Sequence, residues 1–187
     1  MAGYAAYASD DGKAERFRAA ALPYLDDVFT LARYLLHNAA DAEDAAQECY
    51  LRAFRHFETF RGGPIKPWLL AILRNVCRAE YARRGALAAV LADNVDEAEH
   101  VTDGLWSEAQ QSPETETLRR LHSETMQRLI TQLPDAFREA IVLREINDLS
   151  YREIANVTGV PVGTVMSRLA RARALLRTAW LAEEKGS

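Results

Sequence analysis

The chain has 187 residues, 49% of them hydrophobic, and a formal net charge of −4, so it is long enough for one or two globular domains. It has no apolar run near the ~18 residues of a membrane span, and its first residues lack the pattern of a signal peptide, so the sequence predicts a cytoplasmic protein without membrane insertion. Ala and Leu dominate the apolar positions, and no segment has the Val, Ile and Thr alternation of strands, which favours an all-α fold.

Three amphipathic helices are predicted in the first half, after an N-terminal tail of residues 1–21. The first covers 22–37, the second starts at Asn38 or Asp41, and the third begins near Lys66, after the helix-breaking sequence RGGP. The residues expected to face inward are Leu22, Leu25, Val28, Phe29, Leu31, Ala32, Leu35, Leu36, Ala45, Cys49, Leu51, Ala53, Phe54, Trp68, Leu69, Ile72, Val76 and either Cys77 or Ala79.

The second predicted helix carries a stripe of acidic side chains. Asp41, Asp44 and Glu48 are three or four residues apart, so they share one outward face. Acids near a helix N-terminus compensate the helix dipole, and this would account for the stripe without any partner. A protein interface is the alternative interpretation.

The segment FETFRGGPIKPW between the second and third helices mixes aromatic and basic residues. Such a mixture can stack unpaired bases and neutralise phosphates, although core packing would also explain some of the aromatic residues. The residues in question are Arg55, Phe57, Phe60, Arg61, Lys66 and Trp68.

An acidic segment separates the two halves. Residues 86–117 contain eight Asp and Glu residues and neither Lys nor Arg, and without those acids the net charge would be +4. The segment also contains Gly104, Pro113 and the polar run SEAQQSPETET. This composition predicts a linker between two mildly basic helical domains, residues 22–85 and 118–182.

The second half is predicted to contain a helix-turn-helix. Helices over 118–132 and 135–146 come first, separated by LPD. Ser150 and Glu153 then form the spacing of a capping box, which predicts a short helix that closes at Gly159. A longer helix starting at Pro161 completes the motif, whose second helix enters the major groove of DNA.

This last helix has an unusual charge. Between Pro161 and Trp180 there are four arginines and no acid, although a solvated helix face usually mixes both signs. The pattern therefore favours DNA as its partner, with small residues that let the helix lie deep in the groove and arginines that reach phosphates or guanine edges. The candidate DNA-contacting residues are Val162, Gly163, Thr164, Ser167, Arg168 and Arg171.

No catalytic or metal-binding pattern is present in the sequence. The four histidines lack H-x-x-x-H or H-E-x-x-H spacing, and neither G-x-S-x-G nor a phosphate-binding glycine loop occurs. Cys49 and Cys77 form no C-x-x-C pair, and we expect both to be small buried core residues. The sequence therefore predicts neither an enzyme, a cofactor, a metal site nor a small-molecule substrate.

Taken together, three stretches resemble the sigma-70 superfamily, specifically the small extracytoplasmic-function sigma factors of bacterial RNA polymerase. DAEDAAQECYLRAF is similar to region 2.2 and FRGGPIKPWLLAILRNVCRAEYARR to regions 2.3 and 2.4. LPDAFREAIVLREINDLSYREIANVTGVPVGTVMSRLARAR is similar to region 4. The resemblance covers 22–84 and 118–180, most of the chain.

The resemblance implies a sigma factor that binds the beta-prime and beta subunits of core RNA polymerase, initiates transcription of a stress or envelope regulon and is held inactive by an anti-sigma factor. It implies polymerase contacts at Asp41, Glu43, Asp44, Gln47 and Glu48. Unpaired minus-10 DNA would contact Phe57, Phe60, Arg61, Lys66, Trp68, Arg74, Asn75 and Arg78. The minus-35 element would contact the helix of Val162 to Arg171, and the acidic linker would run inside the polymerase.

Two departures and two alternatives accompany this resemblance. Met166 stands where relatives often have Lys or Arg, which predicts one missing backbone contact, and Pro161 replaces a frequent capping Ser. A stand-alone helix-turn-helix regulator would leave the region 2 pattern unexplained. A sigma mimic that sequesters an anti-sigma factor would not need an acid-free recognition helix.

Overall fold

The computed structural model describes the backbone of residues 3–91 and 124–186, and the side chains of 12–84 and 124–184. These residues form helices joined by short turns and include no strand, which confirms the all-α prediction. Most of the predicted linker, and the start of the helix predicted at 118, lie outside the described residues.

Eight α-helices follow one another along the described chain. Several are extended by a short 3₁₀ or π turn, which lies at Leu22–Tyr24, Phe57–Thr59 and Val142–Ile146. The α-helices are α1 (Gly3–Ala21), α2 (Leu25–Leu36), α3 (Ala39–His56), α4 (Ile65–Leu91), α5 (124–131), α6 (Asp135–Ile141), α7 (Tyr151–Thr158) and α8 (Val162–Gly186).

Helices α2, α3 and α4 pack around a core of fully buried apolar side chains, among them Leu31, Cys49 and Leu69. Helix α1 covers one end of this bundle, although the sequence analysis placed its residues in a tail. Phe17 of α1 packs edge-on against Phe54 and Phe57, with ring centroids 5.4 and 5.3 Å away. The first half is therefore a four-helix unit.

Some residues predicted to face inward are exposed. Leu22 and Leu25 are about half exposed, because the 3₁₀ turn at Leu22–Tyr24 interrupts the helix and changes its phase. Leu51 is 52% exposed, since it follows the buried Cys49 by two residues and so points roughly 200° away from it. Cys77 is buried and Ala79 is exposed, which decides between the two candidates.

The helix-turn-helix of the second half forms as predicted. The Ser150 hydroxyl accepts from the Glu153 backbone N–H, and the Glu153 carboxylate accepts from the Ser150 backbone N–H at 2.8 Å. Gly159 ends α7 at a φ of 69°, the left-handed conformation that glycine adopts without strain. Helix α8 then packs on α6 and α7 through the buried Val165, Leu169 and Ala172.

The two halves also contact each other. Helix α7 packs against α4, and α6 against α2, so that one hydrophobic core runs from Phe17 to Ala172. Asn147 is buried at this junction, and its side-chain amide donates to the Asp27 backbone carbonyl at 3.2 Å and to the Asp27 carboxylate at 3.1 Å. The described part of the chain is a closed arrangement of both halves.

Candidate nucleic-acid and protein interfaces

The acidic face of α3 is built around its N-terminus. Asn38 caps the helix by accepting a hydrogen bond from the Asp41 backbone N–H at 3.1 Å, which places the first acids on the turn where the helix dipole favours them. Glu43, Asp44 and Gln47 are exposed, whereas Asp41 is paired with Arg84. Glu48 accepts from Arg52 at 2.6 Å on the flank of the same face.

An exposed leucine continues this face. Leu51 lies three residues after Glu48 and seven after Asp44, so it extends the acidic stripe by one turn. Leu51 was predicted to face inward because of its apolar character, and this prediction was wrong. Single exposed leucines are common on protein surfaces, so Leu51 adds apolar area to this face without by itself marking a contact.

The aromatic residues of the 57–68 segment are only partly buried. Phe60 and Trp68 lie side by side, with ring centroids 5.0 Å apart. The chain between them turns at Gly62 and Gly63, whose φ angles of 89° and 95° would strain any side-chain-bearing residue. The turn leaves Arg61 exposed beside two rings that bases could stack on.

The basic residues proposed to contact minus-10 DNA differ in whether they form internal ion pairs. Lys66 forms an ion pair with Asp27 at 2.7 Å, and Arg74 forms one with Glu139 of the second half at 2.5 Å. Both side chains are more than four-fifths buried, so neither faces solvent in this arrangement. Asn75 and Arg78, on the same helix, are exposed.

The exposed face of helix α8 carries a row of small residues. Gly163, Ser167, Ala170 and Ala174 run along the middle of its exposed face, at one-turn spacing. A Cβ on Gly163 would meet nothing within 4 Å, so packing inside the chain does not require this glycine. The missing side chain leaves room for close approach of another molecule at the start of the helix.

A crevice between the halves brings several candidate residues together. A cavity of about 250 Å³ is lined by side chains of α4, α6 and α8, among them Arg74, Arg78, Glu139 and Arg168. Two candidate minus-10 residues and one candidate minus-35 residue therefore line the same cavity.

Arg138 holds this junction and was not singled out from the sequence. Arg138 is 4% exposed. Its guanidinium donates to the backbone carbonyls of Tyr34 at 3.3 Å and Leu133 at 3.0 Å, contacts the His37 ring and pairs with Asp135. Two of these four partners belong to the first half of the chain. No local pattern identifies such a residue, because its first-half partners lie more than 100 positions away.

The two cysteines are unpaired and buried, as predicted. Burial raises the pKa of both Cys49 and Cys77 to about 12, with the neighbouring Cys77 adding to the effect at Cys49. Both thiols are therefore protonated at neutral pH and poorly nucleophilic. Within 12–84 and 124–184, no three His, Cys, Asp or Glu side chains are grouped to hold a metal ion, and no described helix is long and apolar enough to cross a bilayer.

Comparison with known families matches both halves. Residues 21–86 match the model of "Sigma-70 region 2", and residues 123–176 match that of "Sigma-70, region 4". Over 168 residues the chain is 34% identical to the RNA polymerase sigma-H factor of Pseudomonas aeruginosa, covering 87% of this chain and 84% of that protein. It is 35% identical over 136 residues to the ECF RNA polymerase sigma-E factor of Escherichia coli K12, covering 72% and 71%.

Two solved structures have a similar fold. The sigma factor RpoE of Bartonella quintana, in complex with the anti-sigma factor NepR, matches with a TM-score of 0.73 and 24% identity over 89% of this chain and 97% of that one. CnrH, in complex with the cytosolic domain of CnrY, matches with a TM-score of 0.63 and 22% identity over 95% of both chains.

Proposed function

The chain belongs to the extracytoplasmic-function sigma factors of the sigma-70 family, and we propose that in the cytoplasm it directs core RNA polymerase to the promoters of a stress or envelope regulon. The proposal rests on the order of a region 2 surface and a helix-turn-helix whose recognition helix is acid-free from Val162 to Trp180. Run-off transcription with core polymerase on a genomic promoter library tests it. Transcripts that depend on the chain and share upstream elements are expected, and footprinting of duplex DNA by the chain alone would instead favour a stand-alone regulator.

The polymerase contact that we propose is the acidic face of α3, with Asp41, Glu43, Asp44, Gln47 and Glu48 facing the beta-prime subunit. Exposure of Glu43, Asp44 and Gln47 supports it, since these carboxylates and this amide lose no internal partner on binding. The exposed Leu51 beside them supplies apolar area, which charges alone lack.

Reversing charge on this face is expected to weaken core binding. Asp44→Lys with Glu48→Lys places two cations where two acids stood, and like charges opposed across an interface are strongly unfavourable. Folding should change little, because the lost Glu48–Arg52 pair is exposed and of the kind worth about 0.3–0.5 kcal/mol. A core-binding titration measures the effect.

A matched control for this pair is Glu124→Lys with Glu145→Lys, which makes the same charge change at exposed positions of the second half. The control should bind core as the wild type does. Equal core affinity of the folded α3 variant and the control would contradict the proposed interface.

We assign the separated minus-10 strand to the surface of Phe57, Phe60, Arg61, Lys66, Trp68, Arg74, Asn75 and Arg78. The neighbouring rings of Phe60 and Trp68 support stacking of unpaired bases, and the exposed Asn75 and Arg78 offer donors next to them. The ion pairs of Lys66 and Arg74 must exchange for phosphates before these two residues can contribute.

Phe60→Ala or Asn75→Ala is expected to lower open-complex formation more than closed-complex binding, because stacking on a protein ring is worth about 1–3 kcal/mol per unpaired base. Permanganate reactivity of promoter thymines measures the opening. Arg171→Ala serves as a contrast, since it should reduce closed-complex binding without changing the fraction of bound promoters that open. Unaltered thymine reactivity in both region 2 variants would count against this assignment.

The minus-35 element is assigned to α8 through Val162, Gly163, Thr164, Ser167, Arg168 and Arg171. Elements at positions −35 and −10 lie about 25 base pairs, or about 85 Å, apart along B-DNA. Arg74 and Arg168 line one cavity, so the halves must separate before both elements can be bound at once. We propose that core polymerase stabilises the separated state and that an anti-sigma factor opposes it. The complex of the sigma factor RpoE with the anti-sigma factor NepR, which has a similar fold, supports such a partner.

A further inference from the structure

Two large apolar side chains are exposed in the first turns of α8. Val162 is 38% exposed and Met166 is 54% exposed, one helical turn apart, so they form a continuous apolar patch. The helix packs into the core through Val165, Leu169 and Ala172, and it does not need either side chain for that purpose. Exposed apolar surface on a DNA-reading helix suggests an apolar group on the DNA.

The patch lies on one flank of the helix only. Thr164, Arg168 and Arg171 lie on the opposite flank, and the small residues Gly163 and Ser167 separate the two. With the small residues toward the groove floor, the first turns of the helix offer guanidinium donors on one flank and apolar contact on the other. Arg173, two turns beyond Met166 on the apolar flank, is paired with Glu145. The major groove carries one apolar group, the C5-methyl of thymine.

We propose that Met166, supported by Val162, recognises a thymine methyl group in the minus-35 element, an inference that rests on the assignment of α8 to that element. Methionine suits this role because its unbranched thioether adapts to an irregular apolar surface. Met166 thereby sets a preference for thymine at one position of the element. Its presence in place of Lys or Arg then does more than remove one contact to the DNA backbone.

The test uses the full chain bound to core polymerase. Selection from a promoter library randomised upstream first identifies the preferred minus-35 element, in which at least one thymine is expected. Deoxyuridine then replaces each selected thymine in turn, which removes only the methyl group. Burial of one methyl is worth about 0.8 kcal/mol, so one replacement should weaken wild-type binding about fourfold.

Met166→Gln keeps the length of the side chain but removes its apolar end. This variant should bind the thymine and deoxyuridine promoters equally and should lose the preference at that one position. Leu175→Gln is the matched control, because Leu175 is a 44% exposed leucine further along the same helix. The control should keep the fourfold effect.

The outcomes separate this inference from the proposed function. A selected element whose binding is insensitive to deoxyuridine at every position would overturn the role of Met166 and leave minus-35 recognition standing. Sensitivity that persists unchanged in Met166→Gln would also overturn it. Failure to select any upstream element would overturn the function assigned to α8 together with this inference.

Discussion

Arg171→Ala is expected to reduce transcription from the chain's own promoters strongly and to relax specificity at one minus-35 position. Arg171 is exposed on the arginine flank of α8, one turn after Ser167, where it can reach into a major groove. Loss of a base-contacting arginine typically costs about 1–3 kcal/mol. Transcription across a set of minus-35 variants, with wild type and mutant, measures both effects.

Arg177→Ala provides the matched comparison. Arg177 is an exposed arginine of the same helix, but it lies nearly two turns further from the N-terminal end that enters the groove. At most it contacts a phosphate, so its loss should weaken binding to all promoters alike. The slope of log affinity against log salt concentration should fall by about one. Unchanged activity and base preference in Arg171→Ala would contradict this role and indicate that α8 is an ordinary solvated helix.

The recognition helix could be predicted from the sequence because its signals are local. The capping box needs only Ser150 and Glu153, three residues apart, and the turn needs a residue at Gly159 that tolerates a positive φ. Each signal acts within one or two turns of helix. The absence of acids between Pro161 and Trp180 could likewise be read directly from the sequence.

The errors in burial arose where residue type was given more weight than spacing. Leu51 was expected inside because it is apolar, yet Ala45, Cys49 and Ala53 already define the inward face of α3 at helical spacing. The exposed leucine is thus a feature of the acidic face, which is the proposed polymerase contact.

The contact between the halves could not be predicted because its determinants are distant in sequence. Asn147 meets Asp27 across 120 positions, and Arg74 meets Glu139 across 65. None of these four residues has a distinctive neighbourhood in the sequence, and a polar or charged side chain is expected to be exposed by default. Only the packing of α4 on α7 and of α2 on α6 brings these side chains together.

Among the residues at the contact between the halves, Arg138 is the one whose loss should weaken the closed arrangement most. Arg138→Met retains the length and apolar stem of the side chain but removes the donors to the Tyr34 and Leu133 carbonyls. A buried acceptor without a donor costs about 1–3 kcal/mol. The Nε of Arg138 is itself buried without a partner, and its removal recovers part of this cost. We expect a net loss of about 2–4 kcal/mol in the free energy of unfolding.

Denaturant unfolding and the radius of gyration from small-angle scattering check this prediction, because only a loosened junction should also expand the folded chain. Arg173→Met is the control, because it breaks the Arg173–Glu145 pair, whose partners are half exposed and both belong to the second half. The free energy of unfolding should change by less than about 1 kcal/mol, and the radius of gyration should stay the same. Glu139→Gln, which removes only the charge paired with Arg74, should expand the chain with a smaller loss of stability. Arg138→Met and Glu139→Gln variants as compact as the wild type would show that these contacts do not hold the halves together.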